Sequence, residues 1–378
     1  MNKEPKLKPT SASILISEAC NLRCTYCFET EKKNKVMSNE VISQTLNFLV
    51  DNYKHNLKYF GDENPIGITM FGGEPFMNTK GIKFMMSESE KIDIPFTFGF
   101  VTNGTLISDD MVDFLRAYNN RGNFLSIQLS IDGLKDDHDY YRIDINGKGS
   151  FDSIMKNIPK FKKIFGDGDE YKNRISVHSS LNRKTMENMY ESYLFFKYEL
   201  DMAYIWNMPI HQEKWTEEDV IKYDEQLKLI AADELKEREL KNNDNSALRE
   251  YSPLDKCLMP CTTRFEKPCG AGFNYCTVTA DGNIYPCHQF YFTDEDGLKT
   301  GDVWNGIDEV KNSIFYDYSP KDMNCSKLGC TNYNCYRCIA ENYIATGTLL
   351  NCELGPRCKM TTSEKNIINK LKRIIEND

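Results

Sequence analysis

The cysteines of this 378-residue chain are segregated along the sequence in a way that limits how it can fold. Of the 14, three precede residue 30, none lies between residues 28 and 256, and eleven lie from Cys257 to Cys358. The start of the chain has no apolar run typical of an export signal, so metal ligands are a better interpretation than disulfides, although the even count allows disulfides. The distribution predicts one cysteine-free body between two metal-bearing regions.

Composition argues against several other classes of protein. The formal net charge of −9 opposes nucleic acid as a general partner. No run of 18 or more apolar residues is present, so no segment is expected to span a membrane. We therefore expect a cytoplasmic protein.

The cysteine-free segment alternates strand-like and helix-like patterns. Predicted strands cover residues 13–17, 66–71, 96–102, 124–131, 174–181 and 203–207. Predicted helices lie near residues 38–56, 79–91, 108–119, 150–165, 184–200 and 216–241. Six βα units in series predict an α/β fold with a parallel sheet, open or curled into a partial (β/α)6 barrel of the TIM type. Such sheets place their binding sites at the carboxyl ends of the strands.

The chain divides into five predicted parts. They are an N-terminal extension (1–12), the partial barrel (13–241), a polar linker (242–256), a small cysteine-rich domain (257–360) and a C-terminal helix (361–378). The cysteine-rich part also contains many Gly and Tyr residues, and we expect metal rather than a large core to hold it together. The last helix should pack on the protein through one apolar face, formed by Ile367, Ile368, Leu371, Ile374 and Ile375.

A CxxxCxxC motif, formed by Cys20, Cys24 and Cys27, directly follows the first predicted strand. Three thiolates cannot complete a closed four-ligand site, but they can bind three irons of a 4Fe–4S cube and leave the fourth iron open to a small molecule. The alternative is a zinc half-site, which needs a fourth ligand, and no His lies nearby in the sequence. The open iron favours an enzyme over a passive metal protein.

Three further motifs end predicted strands. Gly72 and Gly73 would let the backbone approach a ligand closely, and the Glu74 carboxylate could accept a hydrogen bond from an ammonium group. Asn103 ends the third strand and Ser130 the fourth, each within an ordinary turn sequence. Because these strands are predicted to be parallel, all three motifs should lie at the same edge of the sheet.

The three-cysteine motif, with Tyr26 before its last cysteine, closely resembles the signature of the radical S-adenosylmethionine (radical SAM) superfamily. The resemblance implies that the amino and carboxylate groups of SAM chelate the open iron, and that one-electron cleavage of SAM gives a 5′-deoxyadenosyl radical. It also implies that the Gly-Gly-Glu motif binds the SAM amino group, and that Ser130 and Arg142 contact the SAM carboxylate. The alternative is that Arg142 is an ordinary surface residue. The candidate cofactor-binding residues are Tyr26, Gly72, Gly73, Glu74, Asn103, Ser130 and Arg142.

The C-terminal cysteines resemble the SPASM extension of radical SAM enzymes, which binds two auxiliary 4Fe–4S clusters. By order, the resemblance assigns one cluster to Cys269, Cys276, Cys287 and Cys338, and the other to Cys325, Cys330, Cys335 and Cys352. This leaves Cys257, Cys261 and Cys358 spare. The run reads CxxxxCxxxxCxxC where the family usually has CxxCx5CxxxC, so the second set stays open. A spare cysteine could displace a ligand, or one auxiliary iron could be left open to a substrate thiolate.

The resemblance predicts a maturase that installs an oxidative crosslink, such as a thioether, in a ribosomally synthesised peptide. Carbon–carbon and carbon–oxygen crosslinks are open to the same chemistry. The implied cofactors are SAM and three 4Fe–4S clusters, and the implied electron donor is a flavodoxin or a ferredoxin. Either the peptide docks directly on the enzyme, or a separate protein recognises its leader.

Two alternatives remain at this point. The first is an anaerobic sulfatase-maturing enzyme, which generates formylglycine. Such enzymes carry an aspartate general base where this chain has His288, a residue that can accept a proton near neutral pH or can simply support a cluster ligand. The second is an electron-transfer or zinc-structured binding protein, which would release no 5′-deoxyadenosine from SAM.

Overall fold

The computed structural model describes residues 4–30, 32–210, 213–240, 269–293, 297–319, 338–351 and 355–377. The predicted linker and six of the predicted or spare metal ligands lie outside the described residues. These six are Cys257, Cys261, Cys325, Cys330, Cys335 and Cys352. None of the described helices is both long and apolar enough to cross a membrane.

The predicted α/β class is confirmed by six parallel strands that alternate with helices. The strands are β1 (Ser11–Ser17), β2 (Ile66–Gly72), β3 (Phe96–Thr102), β4 (Phe124–Ser130), β5 (Ile175–Leu181) and β6 (Tyr204–Pro209). The helices are α1 (Asn39–Phe60), α2 (Thr79–Ser89), α3 (Asp109–Asn120), α4 (Lys135–Tyr141), α5 (Phe151–Lys163), α6 (Arg183–Glu187), α7 (Met189–Leu194) and α8 (Glu217–Leu240). Short 3-10 turns cover Pro75–Asn78 and Glu170–Asn173, and a π turn covers Phe195–Glu199.

Local sequence explains where the helices of this region begin and end. The side chain of Ser38 accepts the N–H of Val41 at the start of α1, and Gly61 ends that helix with a φ of 62°. The helix predicted over 184–200 is instead divided into α6, α7 and the π turn. Asn182 caps α6 through a reciprocal pair of hydrogen bonds with Thr185, which restarts the chain in a new direction after β5.

The two faces of the parallel strands carry different side chains. On one face Ile68, Met70 and Phe98 are buried in the main core beneath the helices. On the other face Thr69 and Gly99 alternate with them and are only half-buried. A face of small and polar side chains cannot form an apolar core, so it lines the interior of the partial barrel and leads to the site at the strand ends.

The C-terminal region extends the same sheet. It contains β7 (Tyr275–Val278), β8 (Asn283–Tyr285), α9 (His288–Thr293), β9 (Gly301–Asp302), β10 (Gly306–Ile307), α10 (Glu309–Tyr316), α11 (Ile339–Thr346) and α12 (Pro356–Asn377). Strand β7 pairs in parallel with β1, and β8, β9 and β10 follow as antiparallel strands, so the sheet order is β10-β9-β8-β7-β1-β2-β3-β4-β5-β6. Strand β1 is therefore hydrogen-bonded on both sides.

The last helix, α12, packs on α8. The Tyr223 hydroxyl donates to Glu364 at 2.6 Å across this contact. Ile367, Ile368 and Leu371 are buried in the main core, whereas Ile374 is exposed. The predicted apolar face is therefore confirmed as far as Leu371 and does not include Ile374.

Candidate active site

The cysteine loop that follows β1 is held against the carboxyl end of β2 by backbone contacts. The N–H of Gly73 donates to the Ser17 carbonyl, and the N–H of Glu74 donates to the Ala19 carbonyl, both at 2.9 Å. Gly72 has a φ of 124°, and a Cβ atom there would overlap the Ser17 carbonyl oxygen. A Cβ atom at Gly73 would lie 2.5 Å from the Ala19 carbonyl oxygen. The two glycines therefore let β2 approach the cysteine loop itself, where the sequence predicted an approach to a ligand.

The three predicted cluster ligands lie together in this loop, and their thiols interact electrostatically. The Cys20 sulfur accepts the N–H of Leu22 at 3.4 Å and lies 3.9 Å from the amide nitrogen of Asn103. Burial raises the pKa of Cys20 to about 12, and burial also raises the pKa of Cys24. Such thiols ionise only when a positive partner stabilises the thiolate, as the irons of a cluster do. The donor set therefore fits a 4Fe–4S cluster on Cys20, Cys24 and Cys27.

Glu74 joins the ends of two strands. Its fully buried carboxylate accepts the Phe76 N–H at 3.1 Å, the Thr102 hydroxyl at 2.8 Å and the Asn103 N–H at 2.8 Å. Burial raises the pKa of Glu74 to about 7. The side chain of Asn103 in turn donates to Asn21 in the cysteine loop at 2.9 Å. Glu74 thus fixes Asn103 beside the cysteines, and its predicted contact with the SAM amino group stays a prediction.

Asp132 connects four parts of the site and was not among the predicted site residues. One carboxylate oxygen accepts the N–H of Ser180, near the carboxyl end of β5, at 2.9 Å. The other accepts Arg142 Nε at 2.9 Å and the Tyr26 hydroxyl. Although burial opposes its ionisation, the Arg142 guanidinium holds the pKa of Asp132 below its ordinary value. Ser130 lies two residues earlier, half-buried at the carboxyl end of β4.

Arg142 is buried beside the cysteine loop, so it is not the surface residue of the alternative interpretation. Its guanidinium lies 5.4 Å from the centre of the Tyr26 ring and lowers the pKa of Cys24, against the larger effect of burial. Among the described residues, Asp132 alone accepts a hydrogen bond from the side chain of Arg142, and the donor is Nε. The two terminal nitrogens therefore remain available to a carboxylate, which a guanidinium binds with two parallel hydrogen bonds.

Lys32 reaches back to the last cysteine of the motif. Its ammonium lies 3.0 Å from the Cys27 sulfur and 2.8 Å from the Glu29 carboxylate. Both charged side chains are buried, with 8% and 4% of their surface exposed. Nothing in the sequence singles out Lys32 from its neighbours Lys33 and Lys35, because only the path of the loop decides which lysine turns inward.

The C-terminal region covers the cysteine loop. The fully buried carboxylate of Glu18 accepts the Ala280 N–H at 3.1 Å and the Tyr291 hydroxyl at 2.9 Å. Lys33 also donates to the Tyr291 hydroxyl, at 3.2 Å. Because neither oxygen of Glu18 faces water, these contacts hold the loop and the C-terminal region together.

His288 lies where the two regions meet. Its ring centre is 4.8 Å from that of Phe71, at the end of β2, and 5.7 Å from that of Phe28, which follows the last cysteine of the loop. Phe28 also packs on Phe292, with their ring centres 5.1 Å apart. His288 is thus placed beside the cysteine loop, and its role as a proton acceptor stays a prediction.

A second group of cysteines, formed by Cys269, Cys287 and Cys338, includes the residue that directly precedes His288. Burial, with smaller contributions from the neighbouring thiols Cys338 and Cys269, raises the pKa of Cys287 to about 12. All three pack on one small apolar core of the C-terminal region. Cys276 lies apart from them, because it stands in β7 opposite Ala12 and is buried in the main core. The structure therefore brings together three of the four residues assigned to the first auxiliary cluster.

The remaining described cysteine, Cys358, is half-buried near the start of α12. Within the ranges that the structure describes, no group of three or more His, Cys, Asp or Glu side chains is arranged to hold a single metal ion. A 4Fe–4S cube binds each thiolate through a different iron and does not need such an arrangement.

Comparison with known proteins identifies the superfamily. Residues 14–193 match the sequence profile of the radical SAM superfamily. The chain is 30% identical over 302 residues to a cysteine-type anaerobic sulfatase-maturating enzyme of Clostridium novyi, and the match covers 75% of each protein. A cysteine-type enzyme of Clostridium perfringens is 24% identical over 302 residues, covering 74% of each.

Solved structures show the same fold. Native anSMEcpe with bound AdoMet (SAM) has a TM-score of 0.71 at 21% identity, covering 97% of this chain and 100% of that chain. Streptococcus suis SuiB bound to its precursor peptide SuiA has a TM-score of 0.61 at 15% identity, covering 92% of this chain and 75% of that chain. With the profile match and the identity to the Clostridium novyi enzyme, these findings show that the chain belongs to the radical SAM superfamily and is a radical SAM enzyme.

Proposed function

We propose that this enzyme is a maturase that oxidises a side chain within a peptide or protein substrate. The observation that carries the proposal is one juxtaposition. The three-cysteine loop lies at the carboxyl ends of β1 to β3 beside the Arg142 guanidinium, and His288, which directly follows Cys287 of the second cysteine group, packs on an aromatic ring of that loop. Such a site can hold SAM, a cluster that reduces it and a further acceptor for electrons taken from a substrate.

The residues divide into those that hold the cofactors and those that position them. Cys20, Cys24 and Cys27 would bind the cluster, and the terminal nitrogens of Arg142 would bind the SAM carboxylate. When bound, the cluster supplies the electron that cleaves SAM to methionine and a 5′-deoxyadenosyl radical. Asp132 keeps the guanidinium of Arg142 oriented and holds Tyr26 in the loop. The C-terminal region, which is held to the cysteine loop by the buried contacts of Glu18, keeps water away from that loop.

The second cysteine group would take part in the oxidation. Oxidation of the substrate side chain removes two hydrogens. One leaves as a hydrogen atom to the radical and the other as a proton to a base, so one electron remains to be accepted. Cys269, Cys287 and Cys338 would hold an auxiliary cluster that accepts this electron, with a fourth ligand from outside the described residues. A second auxiliary cluster, and a flavodoxin or ferredoxin as the external donor, belong to the same proposal.

The first candidate reaction is the formation of formylglycine. It is supported by the cysteine-type sulfatase-maturating enzyme of Clostridium novyi, whose similarity to this chain extends over 75% of both proteins. The substrate would then be a cysteine or serine in a folded or nascent protein, presented as an extended segment. For a cysteine, oxidation gives a thioaldehyde, and water then replaces the sulfur, which leaves as hydrogen sulfide.

The second candidate is an oxidative crosslink, such as a thioether, in a ribosomally synthesised peptide. It is favoured by His288, which stands after Cys287 where the resemblance to sulfatase maturases implies an aspartate base. A thioether forms between a substrate thiol and a substrate carbon with net loss of two hydrogens, and the sulfur is retained. In this case a separate protein that recognises the leader of the peptide is a further proposed partner.

The proposal is tested with anaerobically reconstituted enzyme, SAM and a chemical reductant. We expect 5′-deoxyadenosine to form, and its yield should fall to background in Cys24→Ala. Mass spectrometry of two peptides then separates the reactions. One carries the modified segment of a sulfatase, and the other is a cysteine-containing peptide encoded next to this gene. Formylglycine formation from cysteine removes sulfur, whereas crosslinking removes only hydrogen.

A matched control is Cys276→Ala. This residue lies in the core of the sheet away from both cysteine groups, so its loss should leave 5′-deoxyadenosine formation in place. Absence of 5′-deoxyadenosine from wild-type enzyme that carries iron and sulfide would refute the proposed chemistry. Release of 5′-deoxyadenosine with neither peptide altered would refute the proposed substrate class.

A further inference from the structure

We propose that Lys32 sets the reduction potential of the cluster bound by the three-cysteine loop, acting through the Cys27 sulfur. The inference rests on the proposed function only in requiring a cluster on that loop. Lys32 does not touch SAM or substrate in this role. It holds a positive charge beside a cluster ligand, and this effect can be measured without turnover of a substrate.

The contact is built into the protein rather than formed at its surface. The Lys32 ammonium lies 3.0 Å from the Cys27 sulfur, and 8% of the side chain is exposed. One buried cation therefore lies in direct contact with the last of the three cluster ligands.

A second residue fixes the ammonium in this position. The Glu29 carboxylate accepts a hydrogen bond from Lys32 at 2.8 Å and is itself buried, with 4% of its surface exposed. Glu18 and Lys33 are the other charged groups that act on Glu29. A long flexible side chain held at both its ammonium contacts loses the freedom to turn towards water, so its charge stays directed at Cys27.

The physical consequence is a shift in how readily the cluster accepts an electron. Reduction takes one electron from an external reductant, forms and breaks no bond, and adds one negative charge to a buried group. A hydrogen bond to a ligating sulfur and a buried cation both stabilise that added charge. Lys32 therefore raises the reduction potential, and Glu29, through its own negative charge, limits the rise.

Four variants separate these effects. Lys32→Met removes the charge and the hydrogen bond with little change in volume. Lys32→Gln removes the charge and keeps a donor, and Glu29→Gln removes the opposing charge and keeps an acceptor for Lys32. The matched control is Lys33→Met, because Lys33 is the adjacent lysine and donates to the Tyr291 hydroxyl.

The measurement is an anaerobic redox titration of each reconstituted full-length protein, without SAM, followed by electron paramagnetic resonance. A variant with Cys20, Cys24 and Cys27 all replaced by Ala supplies the signal of the auxiliary clusters, which is subtracted. We expect a more negative potential in Lys32→Met, a smaller shift of the same sign in Lys32→Gln, and a more positive potential in Glu29→Gln. Lys33→Met should titrate like the wild type.

Equal potentials in Lys32→Met and the wild type would overturn the inference. So would an equal shift in Lys33→Met, since the effect would then be one of overall charge and not of the contact with Cys27. If Lys32→Met does not retain its iron, the other two variants provide the test. The reduction potential should shift in opposite directions in Lys32→Gln and Glu29→Gln, and shifts of the same sign would overturn the inference. Failure of the proposed function looks different, because the subtracted wild-type spectrum would then show no cluster at all.

Discussion

At the scale of single residues, the site depends on one carboxylate that the motifs do not reveal. Asp132 binds Arg142, Tyr26 and the backbone of Ser180 at the same time. The sequence places it in an ordinary turn after β4, and only the fold shows that the loop and two strands meet there. Arg142, by contrast, was a candidate only through the resemblance to the radical SAM superfamily, and its contact with the SAM carboxylate stays a prediction.

We predict that Asp132→Asn weakens SAM binding. The asparagine can still accept the Ser180 N–H, but it loses the charge-assisted bond that orients Arg142. Loss of such a bond costs about 1.5 to 3 kcal/mol, which corresponds to roughly a tenfold to hundredfold weaker affinity. Equilibrium dialysis with SAM and with decarboxylated SAM measures the affinity of each variant for the two ligands.

The comparison between the two ligands shows whether Asp132 acts through Arg142. In the wild type, decarboxylated SAM should bind less tightly than SAM, and Asp132→Asn should reduce that difference. The control is Asp136→Asn, which changes an exposed aspartate in α4. If Asp132→Asn weakens both ligands equally, the residue has only a structural role.

At the scale of elements, the strands and long helices were predictable and the breaks between them were not. The six parallel strands follow the apolar and β-branched runs, and α1 follows its cap at Ser38. The predicted helix over 184–200 is divided instead, and its π turn at Phe195–Glu199 carries Lys197 towards α8. A local pattern cannot foresee this, because the partners of Lys197 lie about 40 residues later in the chain.

We predict that Lys197→Met destabilises the contact between this π turn and α8. The Lys197 ammonium lies 2.8 Å from the fully buried Glu234 carboxylate and also pairs with Asp233 and Glu237. Removal of one partner from a buried ion pair costs about 3 to 5 kcal/mol. Urea unfolding followed by far-UV circular dichroism measures the free energy of unfolding.

The loss of stability in Lys197→Met should depend on pH. Burial raises the pKa of Glu234 even with Lys197 present, and without Lys197 the carboxylate would be protonated more readily in the folded state. A folded-state pKa above the unfolded value means that stability falls as pH rises through it, so the deficit should grow with pH. Lys228→Met, which removes an exposed lysine of α8, should cost little at any pH. A deficit of equal size in both variants would contradict the prediction.

At the scale of the whole molecule, the C-terminal region shares a sheet with the barrel, which the sequence did not indicate. The cysteine pattern predicted a separate, metal-bound domain, and pattern reasoning sees only local periodicity. The pairing of β7 with β1 joins residues more than 260 positions apart, from Ser11 with Tyr275 to Ile14 with Val278. Four residues of strand are too few to predict such a partner from sequence.

We predict that Glu18→Ala weakens the attachment between these two regions. The substitution leaves the Ala280 N–H and the Tyr291 hydroxyl without their acceptor in a buried position. Each unpaired group costs about 1 to 3 kcal/mol. Thermal unfolding of the anaerobic holoprotein should show the loss, and Glu63→Ala, at an exposed position, should not. An unchanged transition in Glu18→Ala would show that the strand pairing alone carries the attachment.

The position of β1 in the middle of the ten-stranded sheet has a consequence for how such an enzyme can diverge. The strand that precedes the first cysteine group pairs directly with β7, which lies between Cys269 and Cys287 of the second group along the chain. The separation between the two cysteine groups then depends largely on main-chain hydrogen bonds, which do not change when side chains do. The loops above the sheet can therefore change in sequence during evolution while the distance between the two cysteine groups stays constant.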